Sequence, residues 1–365
     1  MSIILFLFIL TALVFVHELG HFIVAKLSGV RVDEFAIGFP PRIFSFKYGE
    51  TLYTINLIPF GGFVKIFGEN PDEESLKGPQ SERSFVRKSY FTQALILLAG
   101  VAFNVLFGWI LISSALNIGL PAPYDSLNPS LVKNPAVSVI EVLALSPAEK
   151  AGFKSGDKII YLETEEEKAK ADSAEQVRSF IGAHPEEEIT FSIERKNQKL
   201  ALKAVASADI EKNRKAVGIS LADIGIMKLT VGEALIEGAK KTFISTGLIA
   251  VGLFDFIKSA VLGEADIKQV TGPIGIVGLV GDASDLGLAY LLNFTAFISI
   301  NLAVINILPI PALDGGRLLI VGVEAIRKRP LNYKYVNIIN ATGFILLIIL
   351  MLLITYQDIA RLFSN

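Results

Sequence analysis

The run His17-Glu18-Leu19-Gly20-His21 places two imidazoles and a carboxylate at the spacing of a metal site. On a helix the two histidines lie on one face, a turn apart, so both can bind the same ion. Glu18 projects about 100° away around the helix axis, where it can reach a water bound to that ion. Zinc lowers the pKa of such a water to about 7, and the carboxylate can pass its proton to a leaving amine. The pattern therefore predicts a zinc hydrolase.

This motif lies in a segment apolar enough to cross a membrane. From Ser2 to Ala25 the only ionisable side chains are those of His17, Glu18 and His21. A charged group at membrane depth costs roughly 2.5–3.5 kcal/mol on insertion scales and marks a functional site. The alternative is a metal-free cluster in which the three side chains pair with other buried groups.

A catalytic zinc needs a third protein ligand and one open position. The chain has no cysteine and three histidines, so a carboxylate is the expected third ligand. Asp314 is the only acid between Asp285 and Glu324, and it follows an apolar segment that prolines must end. We predict that Asp314 completes the site; the alternative is a helix-ending turn with an interfacial aspartate.

Composition and hydropathy predict a polytopic α-helical membrane protein. Hydrophobic residues make up 52% of the chain, and a formal charge of −2 gives no reason to expect a nucleic-acid partner. A fifth stretch, Thr242–Ile257, is shorter and interrupted, and we interpret it as an amphipathic interfacial helix. The four predicted transmembrane helices are about Ile3–Lys26, Gln93–Leu116, Ala289–Leu308 and Val336–Tyr356.

Basic residues orient these spans. The loop 317–334 carries five lysines and arginines against one acid, and Lys26, Arg31, Arg87 and Lys88 flank the first two spans. The positive-inside rule then places the predicted site toward the cytoplasm and both termini outside. A fifth crossing would put Asp314 opposite the histidines, which favours four spans.

Two further segments have strand character. Thr51–Phe67 is rich in β-branched and aromatic residues and breaks at Pro59 and Gly61-Gly62, which predicts a β-hairpin or meander whose apolar tip enters the membrane. Pro121–Asp223 is more polar and predicts an inserted α+β domain. Its predicted elements are strands at Val137–Leu143, Lys158–Leu162, Ile189–Arg195 and Lys199–Val205 and a helix at Ser173–Ala183.

The predicted organisation follows from these segments. It comprises a first transmembrane helix (1–26), a cytoplasmic-side loop with the β-element (27–92, the element at about 51–67), a second transmembrane helix (93–118), the inserted extracytoplasmic domain (121–225), an interfacial helix region (228–287), a third transmembrane helix (288–316), a basic cytoplasmic loop (317–334) and a fourth transmembrane helix (335–357).

Three motifs in this order resemble the site-2 protease family of intramembrane zinc metalloproteases, and specifically its bacterial regulator-of-sigma-E branch with a single PDZ domain. The resemblance covers essentially the whole chain. Two positions depart from the family pattern: Pro40 replaces a glycine, and Val101 replaces the proline of the run that ends at Asn104. Asn104 itself is explained equally well by a helix–helix hydrogen bond and by a part in catalysis. The motifs are HELGH (17–21), the Asn-Pro-Pro-Asp-Gly-Gly pattern of 306–316, and SPAEKAGF (146–153) followed by GDKI (156–159).

The resemblance implies an endopeptidase with one Zn²⁺ per chain, held by His17, His21 and Asp314, with Glu18 as the catalytic base. The substrate backbone would be held by Asn306 and added as a strand to the membrane-reentrant β-element. The implied substrate-binding residues of that element are Asn56, Leu57, Ile58, Gly61 and Gly62.

The same resemblance implies regulated intramembrane proteolysis in the bacterial cytoplasmic membrane. The implied substrates are single-pass membrane proteins already cut by another protease, either anti-sigma factors or signal-peptide remnants. The PDZ domain would exclude bulky outer domains or bind new C-termini. Two alternatives remain: a membrane receptor with a vestigial metal site, and a zinc hydrolase acting on lipid-linked bonds.

Overall fold

Apolar helices and a sheet-rich segment divide the chain into two units. The computed structural model describes residues 1–124, 132–195, 198–211, 214–264 and 270–364. Unit 1 comprises Met1–Ala115 with Val231–Asn365, and unit 2 comprises Leu116–Thr230. The helices are α1 (Ser2–Leu27), α2 (Glu73–Lys77), α3 (Tyr90–Ile118), α4 (Pro147–Ala151), α5 (Ala174–Ala183), α6 (Val231–Val261), α7 (Pro273–Asp285), α8 (Leu288–Asn306), α9 (Asp314–Arg327) and α10 (Tyr333–Ser364).

Unit 1 contains the helices that can cross a membrane. Among the described residues, α1, α3, α6, α8 and α10 are long and apolar enough to do so. Four of them coincide with the predicted spans, which confirms a helical membrane protein. The stretch Thr242–Ile257 forms the middle of α6, a continuous helix of 31 residues. Its length meets the requirement for a span, so the predicted count of four is not confirmed.

The β-element of unit 1 is larger than predicted. It consists of β1 (Val32–Tyr48) and β2 (Thr51–Ile66), and both strands bend so that each contributes two segments. The first segment of β1 lies between the two segments of β2, since Phe35 is opposite both Tyr53 and Val64. Residues 62–66 therefore form one edge of this small sheet. The sequence indicated the β2 half alone, because charged residues and two prolines interrupt β1.

The turn between β1 and β2 is fixed by ion pairs. Glu50 accepts from Lys26 Nζ at 2.7 Å, at the end of α1, and from Arg83 Nη1 at 2.6 Å. The Arg83 guanidinium, and then Lys26, lowers the pKa of Glu50 to about 2. The turn is thus tied to the end of the helix that carries HELGH.

Unit 2 contains a seven-stranded sheet with two short helices. Its strand order is β3-β11-β4-β5-β7-β8, with β6 beside β5. The four predicted strands and the predicted helix are confirmed as β4, β5, β7, β8 and α5. The inner strand β11 was missed, since Ala222, Asp223 and Gly225 have low strand propensity. The strands of this unit are β3 (Leu120–Pro123), β4 (Val132–Val142), β5 (Lys158–Glu163), β6 (Lys168–Lys170), β7 (Glu188–Arg195), β8 (Gln198–Val205), β9 (Ser207–Glu211), β10 (Arg214–Ala216) and β11 (Ile219–Met227).

The two segments of the third motif, 146–153 and 156–159, both lie in unit 2 and have structural roles. Ser146 Oγ accepts from Glu149 N at 3.2 Å and caps α4, and Gly152 ends that helix at φ 87°. Asp157 is fully buried and accepts a bidentate pair from Arg195, at 2.6 and 2.7 Å. A buried carboxylate needs such a partner, because an unpaired charge in the interior is strongly destabilising.

Candidate metal centre

The two histidines of α1 face each other across one helical turn. His17 Nε2 and His21 Nε2 are 3.1 Å apart, and both residues are buried. The i, i+4 spacing of the sequence therefore produces the common face that it predicts. The two ring nitrogens are directed at the same point.

Asp314 is brought to that point by the chain between α8 and α9. Its Oδ2 lies 3.0 Å from His17 Nε2 and 3.4 Å from His21 Nε2. Pro309 and Pro311 end the helical path, and Gly315-Gly316 lets the start of α9 pack tightly against the turn. A Cβ at Gly316 would lie 2.7 Å from the carbonyl carbon of Ile310, so only glycine fits there.

These three ligand atoms fit a zinc ion. Zinc bonds to imidazole nitrogen and carboxylate oxygen of about 2.0–2.2 Å in a tetrahedral site separate the ligand atoms by about 3.4 Å. The observed separations are 3.0, 3.1 and 3.4 Å. In addition, Asp314 Oδ2 is buried without a hydrogen-bond partner. Two imidazoles and a carboxylate also form a donor set that catalytic zinc uses.

Helix α3 packs directly against the metal centre. Its Ile96 carbonyl accepts from His21 Nδ1 at 2.8 Å, which leaves Nε2 of His21 free for a metal. The two helices approach closely because glycines lie at their contact, as is common in membrane bundles. A Cβ at Gly20 would lie 2.5 Å from Ala99 O, and one at Gly100 would lie 2.7 Å from His17 Cε1.

Glu18 faces the edge of the β-element. Its Oε2 accepts a hydrogen bond from Val64 N at 2.9 Å. Asn306, at the end of α8, has its Nδ2 3.4 Å from His17 Nε2. The carboxylate, the candidate ligands and the amide thus surround one small volume, beside a strand edge.

The five other predicted substrate-binding residues all lie in β2, but in different surroundings. Gly61 packs near Val14 of α1, and Gly62 packs against β1. Asn56 is buried and donates to Gly38 O at 3.0 Å, within the sheet. Leu57 and Ile58 are exposed and belong to the other segment of β2. Substrate binding by these five residues stays a prediction.

Val64 was missed as a site residue by the sequence analysis. It contributes a backbone N–H, which every residue except proline has, so its residue type carries no signal. Only the register of β1 against β2 brings it to Glu18, and that register could not be read from the pattern. Gly100 directly precedes Val101 in the run that ends at Asn104, and its sequence pattern predicted no role for it.

Comparison with known proteins agrees with this geometry. The model of Peptidase family M50 matches residues 5–350. The chain belongs to this family, the site-2 proteases. It is a zinc metalloprotease, and zinc is its cofactor. A Clostridium perfringens protein whose name describes it as a zinc metalloprotease is 36% identical over 360 residues, covering 98% of both chains.

Two further M50 relatives have more specific names. The zinc metalloprotease RasP of Geobacillus kaustophilus is 30% identical, with 99% of this chain and 98% of the relative covered. The regulator of sigma-W protease RasP of Bacillus subtilis is also 30% identical, with 99% of each chain covered. The predicted family is therefore confirmed, and several apolar helices place this M50 protease among multi-pass membrane proteins.

Proposed function

We propose that this M50 protease is an intramembrane endopeptidase that cleaves single-pass transmembrane substrates in regulated intramembrane proteolysis. One observation carries the proposal: the ligand atoms of His17, His21 and Asp314 lie within 3.4 Å of one another, beside Glu18 of the first apolar helix. We assign zinc to these three side chains. The alternative of a receptor with a vestigial site is disfavoured because every ligand and the carboxylate are retained.

Glu18 carries the proton in the proposed reaction. When bound, zinc supplies a Lewis acid that polarises the scissile carbonyl and acidifies water. The Glu18 carboxylate takes a proton from that water and delivers it to the leaving amine. The Val64 N–H holds this carboxylate in place at 2.9 Å. We assign Asn306, whose Nδ2 lies 3.4 Å from His17 Nε2, to donate to the substrate backbone.

The edge of β2 is proposed to receive the substrate. Three successive contacts run along α1: Thr11 with Pro59, Val14 with Gly61, and Glu18 with Val64. A transmembrane helix buries its peptide bonds in its own hydrogen bonds, so cleavage requires an extended segment paired with a strand. An edge that ends at the catalytic carboxylate meets that need. It also favours a peptide substrate over a lipid-linked one.

Unit 2 is proposed to be a PDZ domain. The capped helix at Ser146–Gly152 and the buried Asp157–Arg195 pair give structural reasons for the residues that resemble its sequence pattern. One contact bears on its mode of action. Arg178 of α5 donates to Leu221 O of β11 at 2.7 Å, and this occupies a backbone acceptor that an added peptide strand would need. We therefore favour exclusion of bulky outer domains over binding of peptide C-termini.

The proposed location is the bacterial cytoplasmic membrane, with the metal centre toward the cytoplasm. The basic loop after Asp314 supports this orientation through the positive-inside rule. Unit 2 and both termini are then extracytoplasmic. The name of the Bacillus subtilis relative refers to sigma-W. We accordingly propose anti-sigma factors or signal-peptide remnants, already cut on the outer side, as the substrate class.

The test separates chemistry from metal binding. In purified full-length protein, Glu18→Gln should abolish cleavage of a single-pass transmembrane reporter with a short outer part, while the zinc content stays at one per chain. The exposed Glu141 provides a matched control, and Glu141→Gln should cleave normally. Product formation by Glu18→Gln would reject the proton-carrier role, and loss of zinc would make Glu18 a ligand instead.

A further inference from the structure

We propose that Asn104 is a positioning residue for the metal centre, whose side-chain amide holds the His17 imidazole so that Nε2 faces the zinc. The inference rests on the proposed ligand role of His17. Asn104 lies in α3 and is 0% exposed. Its Nδ2 is 3.3 Å from His17 Nδ1, on the side of the ring opposite the ligand nitrogen.

Both imidazoles of the site need a partner at Nδ1. A metal-bound imidazole almost always donates its other ring N–H to an acceptor, which fixes the tautomer and the ring orientation. The Ile96 carbonyl fills that role for His21 at 2.8 Å. Asn104 occupies the corresponding position for His17. Helix α3 thus provides the outer partner for both histidines.

The amide of Asn104 can serve His17 with and without metal. Without metal, His17 Nδ1 can accept a hydrogen bond from Asn104 Nδ2 at 3.3 Å. With Nε2 on the metal, Nδ1 carries the proton and needs an acceptor. Asn104 Oδ1 is buried without a hydrogen-bond partner, and a half-turn of the amide brings it to Nδ1.

The backbone of Asn104 is held by a separate contact. Ser299 Oγ of α8 donates to Asn104 O at 2.8 Å, and both residues are fully buried. The contact between α3 and α8 is therefore made without the amide. A hydrogen bond between α3 and α8 does not explain why the amide of Asn104 is directed at Nδ1 of His17, or why its Oδ1 is unpaired.

Zinc affinity of the full-length protein, measured in detergent by competition with a chelating dye, tests this role. Asn104→Leu is close in volume and removes the acceptor, so it should weaken zinc binding by about 10–100-fold. Asn104→Asp keeps an acceptor and should stay within a few-fold of the unchanged protein. Asn301 of α8 gives the matched control, because its amide donates to Phe297 O within its own helix. Asn301→Leu should leave the affinity unchanged.

Two outcomes would overturn the role of Asn104. One is an unchanged zinc affinity in Asn104→Leu with a lowered thermal stability of the zinc-free protein, which would indicate helix packing alone. The other is an equal loss of affinity in the Leu and Asp variants. Asn104→Ala repeats the test if the Leu variant does not fold.

A His17→Ala reference separates this inference from the proposed function. Zinc binding that survives His17→Ala would reject the proposed ligand set itself. Zinc binding that is lost in His17→Ala but retained in Asn104→Leu would reject only the positioning role.

Discussion

At the scale of single residues, the metal centre depends on the lack of a side chain at Gly100 of α3 as much as on the proposed ligands. Gly100 faces both imidazoles, and a Cβ there would lie 2.7 Å from His17 Cε1 and 2.8 Å from His21 Cε1. Carbon atoms in van der Waals contact are about 3.5–4.0 Å apart. The rings can therefore keep their positions only if residue 100 has no side chain.

Gly100→Ala should displace the imidazoles and weaken zinc binding. Overpacking by one methyl group costs roughly 1–3 kcal/mol, which corresponds to a loss of about 5- to 140-fold in zinc affinity if the rings absorb it. Zinc competition in detergent measures the change. Gly247 in α6 has open space around it, so Gly247→Ala is the matched control and should bind zinc normally. Equal affinities in the two variants would show that α3 can retreat from α1.

Residue types singled out the proposed ligands but not the groups around them. His17, His21 and Glu18 stand out because titratable groups are costly in an apolar span, and Asp314 stands out because acids are scarce near it. Gly100 and Val64 act through a missing side chain and a backbone N–H. Such contributions have no distinctive residue type, so they become visible only with the helix crossing and the strand register.

At the scale of elements, α1 holds the edge of β2 as well as two of the three proposed ligands. The Thr11 hydroxyl lies 2.6 Å from Pro59 O and 2.7 Å from Leu7 O, so its proton can satisfy the carbonyl at the bend of β2. Thr11 is near the middle of the first span. A backbone carbonyl at that depth has no water to bond, so a protein donor keeps the bend stable.

Thr11→Val should loosen this bend without changing the metal site. The two side chains have nearly the same shape, and a hydrogen bond inside a membrane protein contributes about 0.6–2 kcal/mol. We expect reporter cleavage to fall several-fold in kcat/KM, with zinc affinity unchanged. Thr355 of α10 donates to Met351 O within its own helix, so Thr355→Val is the control and should cleave normally. Unchanged cleavage in Thr11→Val would contradict a role for the bend in substrate binding.

Hydropathy and residue pattern predicted the elements unevenly. The long apolar helices and the alternating strands of unit 2 have strong local signals and were found. Strand β1 and the inner strand β11 were missed because charged residues, prolines and glycines weaken their patterns, while pairing on both sides stabilises them. Tertiary pairing outweighs local propensity in both cases.

At the scale of the whole molecule, α7 bears on the number of membrane crossings in unit 1. A Cβ at Gly281 would lie 2.7 Å from Ser2 Oγ, and Gly272 N donates to Asp358 Oδ1 at 3.1 Å. The helical stretch from Ser2 to His17 is roughly 22 Å long. Gly343 of α10 packs against Pro311, close to the metal centre, and Asp358 lies roughly 22 Å further along the same helix. Both ends of α7 therefore lie far from the metal centre, on the side where α1 begins.

Helix α6 must be consistent with that position of α7. Beyond Asn104, α3 runs away from the metal centre, and its Trp109 donates to Leu235 O at the start of α6. If α6 crossed the membrane, Glu264 and Gly272 would lie on opposite sides of about 30 Å of hydrocarbon, yet eight residues of extended chain reach at most roughly 29 Å. Extended backbone without partners is not tolerated in lipid. We therefore expect four crossings, with α6 on the outer surface of the membrane.

Single-cysteine labelling can decide this, because the chain has no cysteine of its own. Glu264, just after α6, is exposed, as are Glu165 in unit 2 and Asn332 after α9. In intact cells a membrane-impermeant maleimide should label Glu264→Cys and Glu165→Cys, while Asn332→Cys should react only after the membrane is opened. If Glu264→Cys reacted only after the membrane is opened, as expected for Asn332→Cys, α6 would cross the membrane.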